Sequence, residues 1–329
     1  MVDGAYHYLV HGLVVVSELD LPIPSLDPQV PDVAYRARLG ARLAPVVHRR
    51  ADDPDEPWAV DLWLSSGHAV EFPGRATFAF DEHSIELRED GTHDRDHVAH
   101  LLIDHVVPRV VALRGDLMLH ASGAVAPTGR AHLFLGHAGA GKSTVVTRLA
   151  RAGWHLLDDD GVRVVQGAEG LFHAWGGTPD VRLFPDVAQE LLPGVTPGAP
   201  TSFGSSKRRY RAVAGSLAVA SAPAPLGAIF VLEGEDQSSE PTRLSFGEAV
   251  SAITRHGFHL TRRPEDIARR VFEQATAVGS TVPAWRLGRW SGIAALETAP
   301  ATLERLASSR TEQSAKPGST VGARSRETR

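Results

Sequence analysis

The chain has 329 residues, a formal net charge of -5 and an apolar share of 43%, enough for one large or two modest domains with a substantial core. So small a charge over this length argues against a general nucleic-acid-binding surface. The absence of cysteine excludes disulfides, cysteine-ligated zinc, iron–sulfur clusters and a thiol nucleophile. The opening Met1-Val2-Asp3-Gly4-Ala5-Tyr6-His7 lacks the basic flank and apolar run of a signal peptide, and no apolar stretch approaches the ~20 residues that span a bilayer. A cytoplasmic protein with no membrane and no nucleic-acid partner is expected.

Residues 1–92 carry short apolar or alternating runs, Tyr8 to Val16, Ala59 to Leu64, Thr77 to Phe80 and Ser84 to Leu87. Turn-rich stretches such as Pro22-Ile23-Pro24 and Asp52-Asp53-Pro54-Asp55 separate them, the pattern of a small β-rich domain. Val98, Leu101, Leu102, Val106 and Val110 then recur at helical spacing, predicting a bridging helix over roughly 96–113 that Pro108 should kink or end. From Leu117 the alternation is strand-like, with Leu117, Leu119 and Ala121 on one face and Met118, His120 and Ser122 on the other. A turn at Pro127-Thr128-Gly129 and an apolar run from Ala131 to Leu135 complete a candidate hairpin. Lys142 to Ala152 reads as a helix closed by Gly153, and Trp154 to Leu157 as a strand. Further on come a buried strand, Leu226 to Leu232, and helical patterns over Phe246 to His256 and Pro264 to Ala277. Residues 116–307 thus form a second domain, and Ser308 to Arg329, almost without large apolar residues, should be a disordered tail.

The strongest motif is Gly136-His137-Ala138-Gly139-Ala140-Gly141-Lys142-Ser143, the G-x-x-x-x-G-K-[ST] phosphate loop. Small residues let backbone N–H groups close around phosphate oxygens. Lys142 supplies a mobile charge, Ser143 a hydroxyl for Mg²⁺, and the helix that begins at Lys142 and continues through Thr144 presents its positive end. Gly136 to Thr144 are therefore the candidate binding residues for a nucleoside triphosphate, ATP or GTP, with Mg²⁺. Asp158-Asp159-Asp160 follows the next strand and is the nearest source of the carboxylates that phosphoryl transfer to a hydroxyl requires. These acids reach the terminal phosphate if their strand lies beside the phosphate-loop strand in a parallel sheet. A continued strand would point Asp159 away from Asp158 and Asp160, so the acids converge only if the backbone turns, which Gly161 permits. An exposed acidic turn is the alternative.

The stretch Leu119-His120-Ala121-Ser122-Gly123-Ala124, the loop Gly136 to Ser143 and Gly153-Trp154-His155-Leu156-Leu157-Asp158-Asp159-Asp160 together resemble the catalytic core of HPr kinase/phosphorylase and its relatives. The likeness covers about residues 117–163. It implies a mixed α/β, P-loop carboxykinase-like kinase domain behind the β-rich N-terminal part, because those enzymes are similar in fold to phosphoenolpyruvate carboxykinases. It also implies that Asp159 deprotonates the acceptor serine, that Asp160 and Ser143 hold Mg²⁺, and that His120 sits beside the acid/base and influences its charge. Thr144 stands where the family carries an acidic residue after the loop, and the Ile-Arg-Gly-Leu-Gly signature is absent. The layout looks closer to the HPr-kinase-related subgroup that phosphorylates precursor peptides in ribosomal-peptide biosynthesis, lasso-type precursors included.

Arg182 and the basic run Lys207-Arg208-Arg209-Tyr210-Arg211 are candidates for stabilising charge on the transferring phosphate or for docking an acidic peptide. Surface roles compete with both readings. His97 and His100 share a helix face, with His93 and His105 nearby, but poor spacing to a third ligand argues against a metal site. Transfer of a γ-phosphate to a serine or threonine of a protein or peptide is the first expectation. A nucleotide-binding regulatory or assembly protein and a small-molecule kinase stand beside it, and a homo-oligomer is compatible with all three.

Overall fold

The structure, a computed structural model, describes residues 5–27, 32–37, 46–51, 58–88, 95–178, 180–198, 200–201, 206–211, 217–233, 240–258, 264–288, 290 and 292–308. The first apolar run is two strands, not one. His11 (φ 50°) and Gly12 (φ 74°) are both left-handed, as a tight two-residue hairpin turn requires. Tyr8 to Val16 therefore divides between β1 (Tyr6–Val10) and β2 (Leu13–Ser17), with Val10 opposite Leu13.

After these come β3 (Ser25–Leu26), β4 (Val33–Ala37), β5 (Val46–Ala51), β6 (Val60–Leu64), β7 (Gly67–Phe72), β8 (Ala76–Phe80) and β9 (Ser84–Arg88). They join in one nine-stranded sheet, ordered β3-β1-β2-β4-β9-β8-β7-β6-β5. β4 is parallel to β2 and β9, and the other pairings are antiparallel. The later runs read from sequence became β6, β8 and β9, whereas β3, β4, β5 and β7 were not foreseen. The turn stretch Asp52 to Asp55 lies outside the described residues.

The bridging helix is continuous but has three parts: α1 (Arg95–Leu101), a π-helical turn (Leu102–Val106) and α2 (Val107–Leu113). Proline lacks the N–H, and its ring collides with the carbonyl four residues back in a regular helix. Here the Val107 N–H reaches the Leu102 carbonyl, a five-residue step that widens the coil just ahead of Pro108 and lets the helix run on. Val98, Leu102, Val106 and Val110 pack among Tyr8, Phe72, Phe78 and Ile85 of the sheet. Each such side chain contributes roughly 1.5–3 kcal/mol by leaving water.

The second unit comprises β10 (Leu117–Leu119), β11 (Ser122–Val125), β12 (Ala131–Leu135), α3 (Lys142–Arg151), β13 (His155–Asp158), β14 (Val162–Gln166), β15 (Phe172–Trp175), β16 (Asp180–Leu183) and α4 (Pro185–Leu191). β17 (Arg208–Arg211), β18 (Ala224–Leu232), β19 (Thr242–Arg243), α5 (Phe246–Arg255), α6 (Glu265–Thr281), β20 (Ala284–Leu287), a 3-10 helix (Ala294–Thr298) and α7 (Ala299–Ser308) follow. Its main sheet is mixed, ordered β10-β14-β15-β18-β12-β11-β13, with β20 against β18 and β19 against β20. β12, β18 and β20 are parallel neighbours. β16 and β17 form a separate antiparallel pair.

Both faces of this sheet are covered, and the strand alternation decides which side chain goes where. Leu133, Leu135, Ile229 and Val231 meet Ile253 of α5 and Val278 of α6 on one face. Phe134, Ala228 and Phe230 meet Val146 and Leu149 of α3 and Leu303 of α7 on the other. α5 starts on a capping box at Ser245 and Glu248, which satisfies two of its end donors.

Two expectations are corrected. The strand from Leu117 to Ser122 is interrupted: β10 pairs with β14, whereas the hairpin into the glycine loop is β11 with β12. His120 lies in the break, its N–H donating to the His256 carbonyl at 2.7 Å. β13 also does not adjoin β12, because β11 stands between them, antiparallel to both. β12 and β13 still point the same way, so the loops at their C-terminal ends open on one edge.

Candidate functional site

Both loops open into a cavity of about 570 Å³, a size that suits a nucleotide-scale ligand. Ala138 to Val145 line it, with Asp159, Asp160, His120 and Arg182. Gly136 leaves β12 at φ 154°, and a Cβ there would lie 2.9 Å from the Leu232 carbonyl and 3.0 Å from the Ala140 Cβ. Gly139 and Gly141 have φ of 80° and 96°. Nothing lies within 4 Å of where a Cβ on either would stand, so their backbone angle alone calls for glycine. Gly141 caps α3 without a side-chain hydrogen bond, leaving the first N–H groups free to bind an anion. Lys142 Nζ folds back onto the Gly136 carbonyl at 2.7 Å and the His137 carbonyl at 3.3 Å. Burial, partly offset by Asp160 and Asp159, lowers its pKa. Gly136 and His137 are not among the cavity-lining residues. The His137 ring instead lies 5.7 Å from that of His256.

The acidic turn is built by Asp158, whose carboxylate is not in the cavity. Its Oδ1 accepts from the N–H groups of Asp160 (2.9 Å) and Gly161 (3.2 Å), and its Oδ2 from those of Gly177 and Thr178. This fold-back breaks the strand alternation and turns both Asp159 and Asp160 toward the cavity. Asp159 is 3% exposed. It accepts from Ser122 Oγ and from the Arg182 N–H, each at 2.6 Å. Burial pushes its pKa up to about 6 against the opposing pull of Arg182.

Asp160 behaves differently. Burial opposes its charge, but Arg182, His120, His105 and Lys142 together bring its pKa down to about 2. His120 Nδ1 lies 3.4 Å from Asp160 Oδ1, so the histidine pairs with Asp160 rather than with Asp159. Its side chain is open to the cavity yet enclosed by it, and burial lowers its pKa. Two adjacent carboxylates thus have opposite tendencies, one near neutrality and one firmly ionised.

Behind them lies a buried ionic network. Arg182 Nη2 bonds Asp104 Oδ1 at 2.6 Å, and its Nε lies 3.9 Å from Asp160 Oδ2. Arg209 bonds the other oxygen of Asp104. Burial opposes the Arg182 charge, but Asp160, Asp159, Asp158 and Asp180 outweigh it and raise its pKa. Its Nη1 is buried with no hydrogen-bond partner among the described residues. Burial lowers the Arg209 pKa to about 9.

Lys207 lines the cavity with its Nζ 5.2 Å from the centre of the Phe184 ring. Arg208 does not line it. In the register of β16 with β17 Arg208 is opposite Leu183, whereas the buried cation of that run is Arg209, opposite Arg182. Apolar walls come from Phe184 and Val187 at the start of α4 and from Trp290, Ile293 and Leu296 near the 3-10 helix. Trp58 and His105 close the cavity on the side of the N-terminal sheet.

Arg209, named from sequence only within the basic run, is that run's buried cation, and sequence reasoning missed Asp104, Trp58 and the Trp290 to Leu296 wall. Asp104 had a readable signal, an acid amid the apolar positions of an amphipathic helix. The others come from distant segments and had none. Among the described residues, no three His, Asp or Glu side chains form a group able to hold a metal by themselves, and no helix is long and apolar enough to cross a membrane. His93 lies outside the described residues.

The fold and cavity define a mixed α/β chain with a phosphate-loop motif at the mouth of a ligand-sized cavity. No family model and no curated protein matches it. A solved structure, that of the Hpr(Ser) kinase/phosphatase from Coxiella burnetii, is similar at 14% identity, over 59% of this chain and 95% of that one, with a TM-score of 0.32. A likeness of that size carries no argument about activity, and the functional reading rests on the cavity itself.

Proposed function

We propose that the protein is a P-loop phosphotransferase that moves the γ-phosphoryl group of ATP or GTP to a serine or threonine hydroxyl of a protein or peptide. The observation that carries the reading is the placement of Asp159, a buried carboxylate with its pKa raised to about 6, in the same cavity as Lys142, Ser143 and the open N-terminus of α3. A general base works best with a pKa near the working pH. Ser122 and the Arg182 N–H hold Asp159 in one orientation.

In this reading the loop amides and Lys142 bind the phosphates, with Lys142 exchanging its loop carbonyls for phosphate oxygens. The nucleoside lies along Trp290, Ile293 and Leu296, at the 3-10 helix that packs on α3. The acceptor hydroxyl gives its proton to Asp159 as its oxygen bonds the γ-phosphorus, and the bond from that phosphorus to the bridging oxygen breaks to release the diphosphate. The unpartnered Nη1 of Arg182 offers a donor to the charge in transit. Ser143 and the ionised Asp160 line the same cavity and fit Mg²⁺, which takes few protein ligands beside phosphate oxygens and water. When bound, Mg²⁺ supplies charge neutralisation of the phosphates. The resemblance of residues 117–163 to the HPr-kinase core supports the same reading.

The test mixes the full chain with γ-labelled ATP, Mg²⁺ and serine-containing peptides, or proteins of the producing cell. Label on an acceptor in the wild type that is lost in Asp159→Asn and in Lys142→Ala is the expected result. Transfer that survives both substitutions refutes the assignment. Nucleotide binding with no transfer to any acceptor would favour the regulatory reading, which the fold-back of Lys142 onto its own loop motivates.

A further inference from the structure

Resting on the phosphotransfer reading, we propose that the N-terminal sheet forms the acceptor end of the cavity. Trp58, set against His105, receives an apolar or aromatic side chain adjacent to the hydroxyl that is phosphorylated. Two groups of the cavity's aromatic and apolar lining come from different parts of the chain. One, Trp290, Ile293 and Leu296, belongs to the segment packed on α3 beside the phosphate loop. The other belongs to a different part of the chain. The Trp58 ring meets the His105 ring at 4.9 Å and 64°, and Phe72 backs the indole at 6.1 Å. His105 in turn lies within the electrostatic reach of Asp160, Arg182 and His120. The aromatic shelf therefore stands near Asp160 and Arg182, the side of the cavity assigned to the acceptor.

The shelf is fixed in place. Arg109 bonds Asp61 of β6 at 2.9 Å and the His105 carbonyl at 2.8 Å, tying the strand that begins two residues after Trp58 to the π-helical turn that carries His105. Burial drives the His105 pKa to about 3, so the imidazole presents a neutral face. Trp58 keeps 44% of its surface exposed at the wall of a cavity, an arrangement that leaves a large apolar face for a ligand to cover. Neither Trp58 nor His105 offers a charge to select a charged neighbour, which is why the side chain received is apolar or aromatic. The partner of this subsite is a peptide segment rather than a small hydroxyl compound, because the shelf extends the site beyond the reacting group.

The experiment uses the full chain, Mg²⁺, γ-labelled ATP and a positional-scanning peptide library with one fixed serine. Wild type is expected to favour Phe, Leu, Ile or Trp beside the serine by about tenfold over Asp or Lys, equivalent to about 1.4 kcal/mol. Trp58→Ala should erase the preference while nucleotide affinity stays within about twofold, and Trp58→Phe should keep most of it. A preference unchanged in Trp58→Ala overturns the proposal, as does a fall in nucleotide affinity, which would place Trp58 at the nucleoside end. If no peptide takes label in the wild type, phosphotransfer to peptides has failed. The subsite is then decided by retention of the same library on immobilised protein with a non-hydrolysable ATP analogue. Enrichment of apolar-flanked serines on wild type but not on Trp58→Ala supports the shelf, and equal retention overturns it.

Discussion

At the scale of single residues, the two acids of the turn set opposite pH dependences. Asp159 has a folded pKa of about 6, above its ordinary value, so the native state holds a proton that the unfolded chain has released. Its contribution to stability is fully present below about pH 4 and is lost as pH rises to about 6, to the extent of about 3 kcal/mol. Asp160, held down to about 2, acts the other way: its contribution is present above about pH 4 and is lost as pH falls toward 2. Buried histidines such as His105, with its pKa lowered to about 3, make stability rise with pH over the same range, so the Asp159 share is read as a difference: in thermal unfolding, the stability of wild type relative to Asp159→Asn should decline between pH 4 and 6. The same group predicts that transfer rate climbs through pH about 6 as the base ionises. Asp159→Asn should lower turnover by about 10²–10⁴-fold with nucleotide affinity retained, measured by turnover assay and calorimetry. Asp158, Asp159 and Asp160 were legible in sequence as a cluster, but their division of labour was not, because it depends on which N–H groups of the 176–178 segment fall within reach of Asp158.

At the scale of elements, the phosphate loop and the π-helical turn carry separate expectations. Gly136→Ala would set a Cβ 2.9 Å from the Leu232 carbonyl in a backbone conformation that side chains rarely adopt. It should disturb the loop and the adjoining β18 together, seen as lost nucleotide binding and a lower melting temperature. Gly139→Ala meets no neighbour within 4 Å, so its smaller effect comes from backbone strain alone. In the π turn, Asp104→Ala removes the shared counter-ion of Arg182 and Arg209. Both buried guanidinium groups would lose their hydrogen-bonded carboxylate, keeping only Asp160 and Asp180 at 3.9 Å, and the loss should cost up to about 3–5 kcal/mol, measured by chemical denaturation. The helix itself was foreseen from its apolar spacing and its proline from the sequence. The outcome at Pro108 was not, because whether a helix ends or widens there depends on whether its apolar face stays buried on both sides of the proline, as it does against the N-terminal sheet.

At the scale of the whole molecule, the N-terminal sheet is part of the site's support as well as of its wall. The His11 N–H donates to the Gly176 carbonyl at 3.1 Å, and the His11 carbonyl accepts from Arg163 Nη1 at 3.0 Å. The buried ring packs so closely that a Cβ on Gly177 would come within 2.5 Å of it. The hairpin tip therefore presses on the segment whose N–H groups hold Asp158. Gly177→Ala should push the tip away, loosen the acidic turn and lower transfer more than nucleotide affinity, read from separate binding and turnover measurements. A chain beginning at Asp116 would lose Trp58, His11 and the helix that carries Asp104 and His105, and transfer should be lost with them.

What the sequence alone determined is what lies within one short stretch: the glycine loop with Lys142 and Ser143, the helix it opens, the acids at the end of the next strand, and the apolar periodicities of the long helices. Such features are local because backbone angles, helical spacing and phosphate-binding N–H groups are set by neighbours in the chain. Tertiary structure decided that β11 separates β12 from β13, that Arg209 rather than Arg208 joins the buried network, that His120 faces Asp160, and that Trp58 closes the cavity. Each depends on strand register or on surfaces brought together from distant segments, where alternation identifies a face but not the partner it will meet.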